Sequence, residues 1–185
     1  MVCLQPSAEL NGEMRGLGCV ISQDELILRR AGWKRNGKRV VFASGSFDLL
    51  HPGHVRLLEQ ARSHGDIVVV GIESDASSRS RHGSPSGLLQ RPITPSAERA
   101  EIVAALSAVD FAVEFDPNSS QTLMARLAPD VIVKGGNPTA DKAVTQRDDA
   151  SKSANLSATT KVIHIPLEPG HSTALLIGRI KKINA

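Results

Sequence analysis

The chain has 185 residues, 41% of them hydrophobic and 22% charged, which suits one soluble domain around a single core. Lys plus Arg is 22 and Asp plus Glu is 19, a net charge of only +3, and aromatics are 3% with no Tyr. Nucleic-acid binding is therefore excluded, since it would need basic runs or stacking platforms. So is a membrane span, because no apolar run approaches the ~18 residues required.

Residues 1–21 are mixed and Gly-containing, without a charged-then-apolar signal pattern, and read as a loose leader. Cys3 and Cys19 match no zinc site and no disulfide framework, so free thiols in a cytoplasmic protein are expected. Ser22-Gln-Asp-Glu25 is a capping box that opens a helix over 23–34, and Asn36-Gly37 ends it. Residues 22–38 thus form an N-terminal helix and connection, and the remainder, 39–185, forms the main domain.

That domain opens on Arg39-Val-Val-Phe-Ala43, a short β-branched strand. A helix over 55–63 follows, then Ile67-Val-Val-Val-Gly-Ile72, apolar at every position as in a strand buried on both faces. Helices at 97–106 and 119–127 alternate with strands at 111–115 and 131–133. A strand at 161–165 and a helix at 173–183 close the chain. This rhythm predicts an α/β, doubly wound, Rossmann-like parallel sheet of about five strands with helices on both faces. Two polar stretches, 77–95 and 137–160, interrupt it and read as long loops.

The chemistry concentrates in Ser44-Gly-Ser-Phe-Asp-Leu-Leu-His-Pro-Gly-His54, at the carboxyl end of the first strand of the domain, where doubly wound sheets bind ligands. Gly45 allows close backbone approach, and Pro52 suits the start of a helix. Gly53 leaves space for an adenine or phosphate. His51 and His54 are three apart, so both imidazoles project from one face of the first turn. Beside a helix N-terminus they form an anion site, placed to stabilise charge on phosphate oxygens. A metal site would need a third ligand, and none is predicted from the protein. Lys134 ends an apolar strand before Gly135 and Gly136, and can serve as a phosphate partner or as a solvated turn lysine. Ser172 and Thr173 follow Gly170 and His171 and open a helix, offering hydroxyls and free amides together; a plain N-cap at Ser172 is the alternative. Asp48, Glu98 and Asp130 read as caps.

These residues resemble the HxGH cytidylyltransferase-like nucleotidyltransferases. Within them the chain is most similar to the adenylyltransferase domain that makes ADP-heptose from heptose 1-phosphate. The resemblance covers about 22–183 and is carried by His51-Pro-Gly-His54, Ser74-Asp-Ala76, Arg91-Pro-Ile93, Glu98-Arg-Ala-Glu101, Val133-Lys-Gly-Gly136 and Gly170-His-Ser-Thr173. It implies transfer of AMP from Mg²⁺-bound ATP to a sugar 1-phosphate, releasing pyrophosphate. His51, His54 and Lys134 would act on phosphate, and Ser46 and Phe47 would offer backbone to the nucleotide. Arg99 would support that nucleotide site, and Ser172 and Thr173 would hold the β- and γ-phosphates. A homodimer is compatible with this reading.

The chain departs from the family's usual residues at Ser46, His82, Asn137 and Ala174. At His82 the family has a lysine; Arg79 and Arg81 are the nearest replacement cations, and with Asp48 they make a candidate substrate or phosphate loop. Other readings stay open: CTP with glycerol 3-phosphate, nucleotide binding without catalysis, or a tRNA-synthetase fragment, whose second signature Ser151-Lys-Ser153 echoes.

Overall fold

The computed structural model describes residues 18–82, 91–116, 120–136 and 160–183. In chain order the elements are β1 (Cys19–Val20), α1 (Gln23–Arg35), β2 (Val40–Gly45), α2 (Pro52–Arg62), β3 (Ile67–Glu73) and α3 (Asp75–His82). They continue as α4 (Ser96–Ala104), β4 (Phe111–Phe115), α5 (Ser120–Leu127), β5 (Val131–Gly135), β6 (Lys161–Ile165) and α6 (Thr173–Ile183). The six strands form one sheet in the order β1-β4-β3-β2-β5-β6, every pair parallel. The doubly wound architecture expected from the alternating pattern is therefore present.

The sixth strand is the difference. Two residues at the end of the expected loose leader pair with β4 (Cys19↔Phe111, Val20↔Ala112) and extend the sheet edge. A two-residue strand carries no readable periodicity, so only its partner reveals it. Residues 1–17 of that leader lie outside the described residues. Cys19 is disulfide-bonded rather than a free thiol. Spacing along a chain fixes no distance between two cysteines, so the sequence alone cannot pair them.

Alternation along the strands divides the core between the two faces of the sheet. Val41, Ala43, Val68 and Val70 meet Leu58 and Ala61 of α2 and Ala100 and Val103 of α4. Val40, Phe42, Val69 and Ile132 meet Leu26 of α1 and Leu123 and Leu127 of α5. Asp130 fixes the start of β2 by accepting from the Val40 amide at 2.7 Å, and it pairs with buried Arg30 of α1.

The stretch expected as a loop from 77 begins instead as helix α3. Its serines have low intrinsic helix preference, but Ser74 supplies the missing start signal. The Ser74 Oγ accepts from the Ser77 amide at 3.3 Å, its carbonyl accepts from the Ser78 amide at 2.9 Å, and Ser77 and Ser78 are buried. Of the second long loop, 137–159 lies outside the described residues.

The two faces meet no slack at Gly71. A Cβ there would stand 2.7 Å from Phe42 Cζ and 2.9 Å from Phe115 Cε1, two rings already packed edge to face. Gly71→Ala is expected to destabilise the fold by about 1–3 kcal/mol, the scale of overpacking a filled core. Urea unfolding checks this; an unchanged midpoint would mean the two rings move aside freely.

Candidate functional site

The site forms where the sheet splits. The β2–β5 ladder ends at Ala43↔Val133, yet both strands run on by two residues. Ser44 and Gly45 continue against β3, while Lys134 and Gly135 continue against β6. The carboxyl ends of β2 and β5 therefore part, and the crevice between them is the switch point of the sheet, where such folds bind ligands. The connection from β2 to α2 runs along one wall. Lys134, Gly135 and Gly136 stand on the other.

The histidine pair lies at the start of α2. His51 is the N-cap, extended at φ −143°, with no side-chain cap bond, and Pro52 follows in the first helical turn. The imidazoles of His51 and His54 stack, with centroids 3.8 Å apart and planes 19° apart. Phe47 supports His54 from 5.2 Å. The space at Gly53 is used by the protein itself. A Cβ there would meet His51 Nδ1 at 3.0 Å and Cε1 at 3.1 Å, so Gly53 lets the His51 ring lie close against the helix start.

Burial lowers the pKa of both rings. His51 is lowered by desolvation first and then by His171, whose ring thus belongs to the same cluster. His54 is lowered to about 4, chiefly by desolvation, then by His51 and more weakly by Arg91, against an opposing pull from Asp48. At neutral pH His54 is uncharged, so it acts as a neutral hydrogen-bonding group. The Nδ1 atoms of both rings are buried without a hydrogen-bond partner.

The loop that carries the pair is strained. Phe47 and Leu49 both adopt positive φ, 50° and 49°, a region non-glycine residues seldom occupy. Asp48 between them is 1% exposed. Its carboxylate accepts from the Ile93 amide at 3.0 Å, the Thr94 amide at 3.2 Å and Arg91 Nε at 3.3 Å. The Asp48 carboxylate is thus bonded to two amides and a guanidinium of the 91–94 segment, and it stands close enough to His54 to oppose the lowering of that ring's pKa. Sequence reading missed this because the partners stand 43 to 46 residues away.

Arg99 also holds the protein rather than the nucleotide. It is 1% exposed and donates to Thr94 O at 2.8 Å, Glu73 O at 2.9 Å, Asp75 Oδ1 at 2.5 Å and the Ser46 carbonyl. Each guanidinium nitrogen makes at least one bond to the protein, so Arg99 braces β2, β3, α3 and α4 against one another. The Ser46 hydroxyl meets Ser78 Oγ at 2.9 Å.

At α6, Gly170 turns the chain at φ 77° and delivers His171, Ser172 and Thr173 to the helix start. Ser172 Oγ accepts from the Leu175 amide at 3.2 Å, the N-cap alternative, and keeps its own proton to donate. Thr173 Oγ1 donates to the Asp48 carbonyl at 2.7 Å, so its single hydroxyl proton is not free for a phosphate. Arg79 is exposed on α3, while the side chains of Arg81 and His82 lie outside the described residues, as does Asn137. The structure therefore gathers His51, His54, Phe47 and His171 and places Lys134 at the split. It turns Asp48, Arg99 and Thr173 into supports.

The chain matches the family model described as cytidylyltransferase-like over residues 42–179. Curated relatives include the bifunctional protein HldE of Rhodopseudomonas palustris (strain HaA2), 38% identical over 177 residues, covering 96% of this chain and 33% of that protein. HldE of Koribacter versatilis (strain Ellin345) is 42% identical over 158 residues, covering 85% of this chain and 30% of its own. The chain spans about a third of the length of these relatives. Among solved structures, the lipopolysaccharide core biosynthesis protein of Thermoplasma volcanium GSS1 is similar at a TM-score of 0.55 and 25% identity, over 71% of this chain and 99% of that one. Pantothenate synthetase of Thermus thermophilus shares the fold at a TM-score of 0.50 and 17% identity, over 80% of this chain and 61% of its own.

The depressed His54 pKa has a measurable consequence. An unfolded histidine titrates near 6.5 and the folded one near 4. Between those values the unfolded chain binds more protons, so stability rises with pH through this window and is lost as pH falls from about 6.5 towards 4. In an NMR titration His54 should hold its neutral-form signal through the mildly acidic range and reach its midpoint near 4. A midpoint near 6.5 would show that water reaches the ring freely.

Proposed function

The chain belongs to the cytidylyltransferase-like family, and from that premise we propose that it transfers AMP from ATP to a sugar 1-phosphate, a heptose 1-phosphate by preference, releasing pyrophosphate. The observation that carries this reading is the stacked His51–His54 pair at the N-terminus of α2, beside the split where β2 and β5 part. Two imidazoles, the Gly53 amide in α2, the first-turn amides of α6, and a lysine at the end of β5 form a set suited to a polyphosphate. The choice of adenine and heptose rests on Val133-Lys-Gly-Gly136 and Gly170-His-Ser-Thr173 and on their resemblance to ADP-heptose-forming domains. The HldE relatives and the lipopolysaccharide core protein point the same way.

In the proposed reaction a phosphate oxygen of the acceptor attacks the α-phosphorus of the triphosphate in line. The new P–O bond forms as the bond to the bridging β-phosphate oxygen breaks, and pyrophosphate leaves. Mg²⁺ held with the triphosphate would neutralise part of its charge, with phosphate oxygens and water as its main ligands. A neutral His54 carrying its proton on Nε2 donates to a phosphate oxygen and strengthens that bond as charge develops. Lys134 adds a full positive charge on the facing wall. The protein's part is positioning and charge stabilisation, without a covalent intermediate.

His54→Ala is expected to lower kcat for pyrophosphate release by about 10²-fold or more, the scale of losing one such donor, with the fold retained. A folded variant with parental turnover would reduce the pair to packing. A screen of ATP and CTP against sugar 1-phosphates and glycerol 3-phosphate, read by pyrophosphate release, tests the substrates. A higher kcat/KM with CTP would reject the base, and turnover of glycerol 3-phosphate alone would reject the acceptor.

A further inference from the structure

We propose that Thr173 and Asp48 form a latch that sets the distance between the N-terminus of α6 and the histidine pair, making both positioning residues rather than ligands of the nucleotide. The kinetic part of this inference rests on the transferase reading; the geometric part does not.

The latch is one hydrogen bond, Thr173 Oγ1 to the Asp48 carbonyl at 2.7 Å, between groups 125 residues apart in the chain. Thr173 is the first residue of α6, and its side chain is buried. Asp48 lies at the centre of the strained connection, flanked by Phe47 and Leu49 at positive φ. The carboxylate is bound on its other side to the Ile93 and Thr94 amides and to Arg91, so the residue cannot slide towards α6 without breaking those bonds. The next residue back along the chain is Phe47, whose ring supports His54. A displacement of the α6 terminus therefore passes through one bond to Asp48, through one peptide to Phe47, and through ring contact to His54.

A rigid spacing matters because one polyphosphate must be gripped at two ends. The first-turn amides of α6 are oriented for anions, as is the Gly53 amide in α2, where Pro52 has no amide proton and the His54 amide donates to the His51 carbonyl at 2.9 Å. If the two helix starts drift apart, each can still hold a phosphate, but the reacting phosphorus no longer sits against His54. Loss of the latch should therefore reduce turnover more than binding. A direct phosphate contact by Thr173 predicts the reverse, weaker binding first. The hydroxyl has one proton, and the structure spends it on Asp48.

The test compares Thr173→Val, which keeps the shape and removes the donor, with Thr173→Ser, which keeps the donor. Three quantities are read: the His54 imidazole NMR signals without ligand, kcat and nucleotide KM for pyrophosphate release, and the urea midpoint. Thr173→Val should move the His54 signals and lower kcat about 10-fold or more, the cost of a misplaced reacting group, while KM changes by less than about threefold. Thr173→Ser should return both the signals and kcat close to the parent. If Thr173→Val does not fold, Thr173→Ala replaces it in the same comparison. Parental kcat with unmoved His54 signals would overturn the latch. So would a large rise in KM with kcat kept, which would assign the hydroxyl to the nucleotide. If the parent releases no pyrophosphate with any substrate pair, the transferase reading fails, and the His54 signals of the Val and Ser variants still decide the latch.

Discussion

Everything in the site depends on holding a short stretch of backbone in a conformation it would not choose. Between β2 and α2, two non-glycine residues take left-handed φ on either side of a buried aspartate. Each such residue costs on the order of 1–3 kcal/mol, so the stretch persists only because its surroundings over-determine it. Arg99 holds the Ser46 carbonyl, the Phe47 ring is sunk in the core, and Asp48 is bonded through both carboxylate oxygens and its carbonyl. The result is a fixed platform from which His51 and His54 start the helix.

The same packing that fixes the rings also decides their charge. A histidine in water near neutrality is partly protonated, and a cationic pair would attract phosphate strongly but would also repel itself. Burial eases that conflict: desolvation is the largest cause lowering the pKa of each ring, followed by His171 for His51 and by His51 for His54. A neutral imidazole still has one N–H to donate and one nitrogen to accept.

Four arginine–carboxylate pairs of this domain are turned inward, while Arg29–Glu25, Arg56–Glu168 and Arg126–Asp24 lie at the surface. Arg30, Arg62, Arg91 and Arg99 pair with Asp130, Asp110, Asp48 and Asp75, each tying together elements distant in sequence. Such pairs contribute little by themselves when exposed, but at the junctions of strands and helices they also satisfy backbone groups that the fold would otherwise leave orphaned. The Val40 and Val68 amides, at the starts of β2 and β3, are bonded in this way to Asp130 and Asp110.

What the sequence determined by itself is local. Caps, periodicity and all-apolar runs gave five of the six strands and five of the six helices among the described residues, to within a few residues, because each signal lies inside about a dozen positions. The histidine pair was legible for the same reason: strand end, glycine, proline and two histidines fall within eleven consecutive residues. Tertiary structure decided whatever depends on a distant partner. Arg99 is bonded to four oxygens, three of them 24 to 53 residues away along the chain. Thr173 looked free until the Asp48 carbonyl, 125 residues earlier, took its proton. The edge strand at Cys19, the helix begun at Ser74, the bonded state of Cys19 and the neutral state of His54 belong to the same class. Hydrogen-bond satisfaction and burial are properties of the packed neighbourhood, and the chain acquires that neighbourhood only when the sheet closes around it.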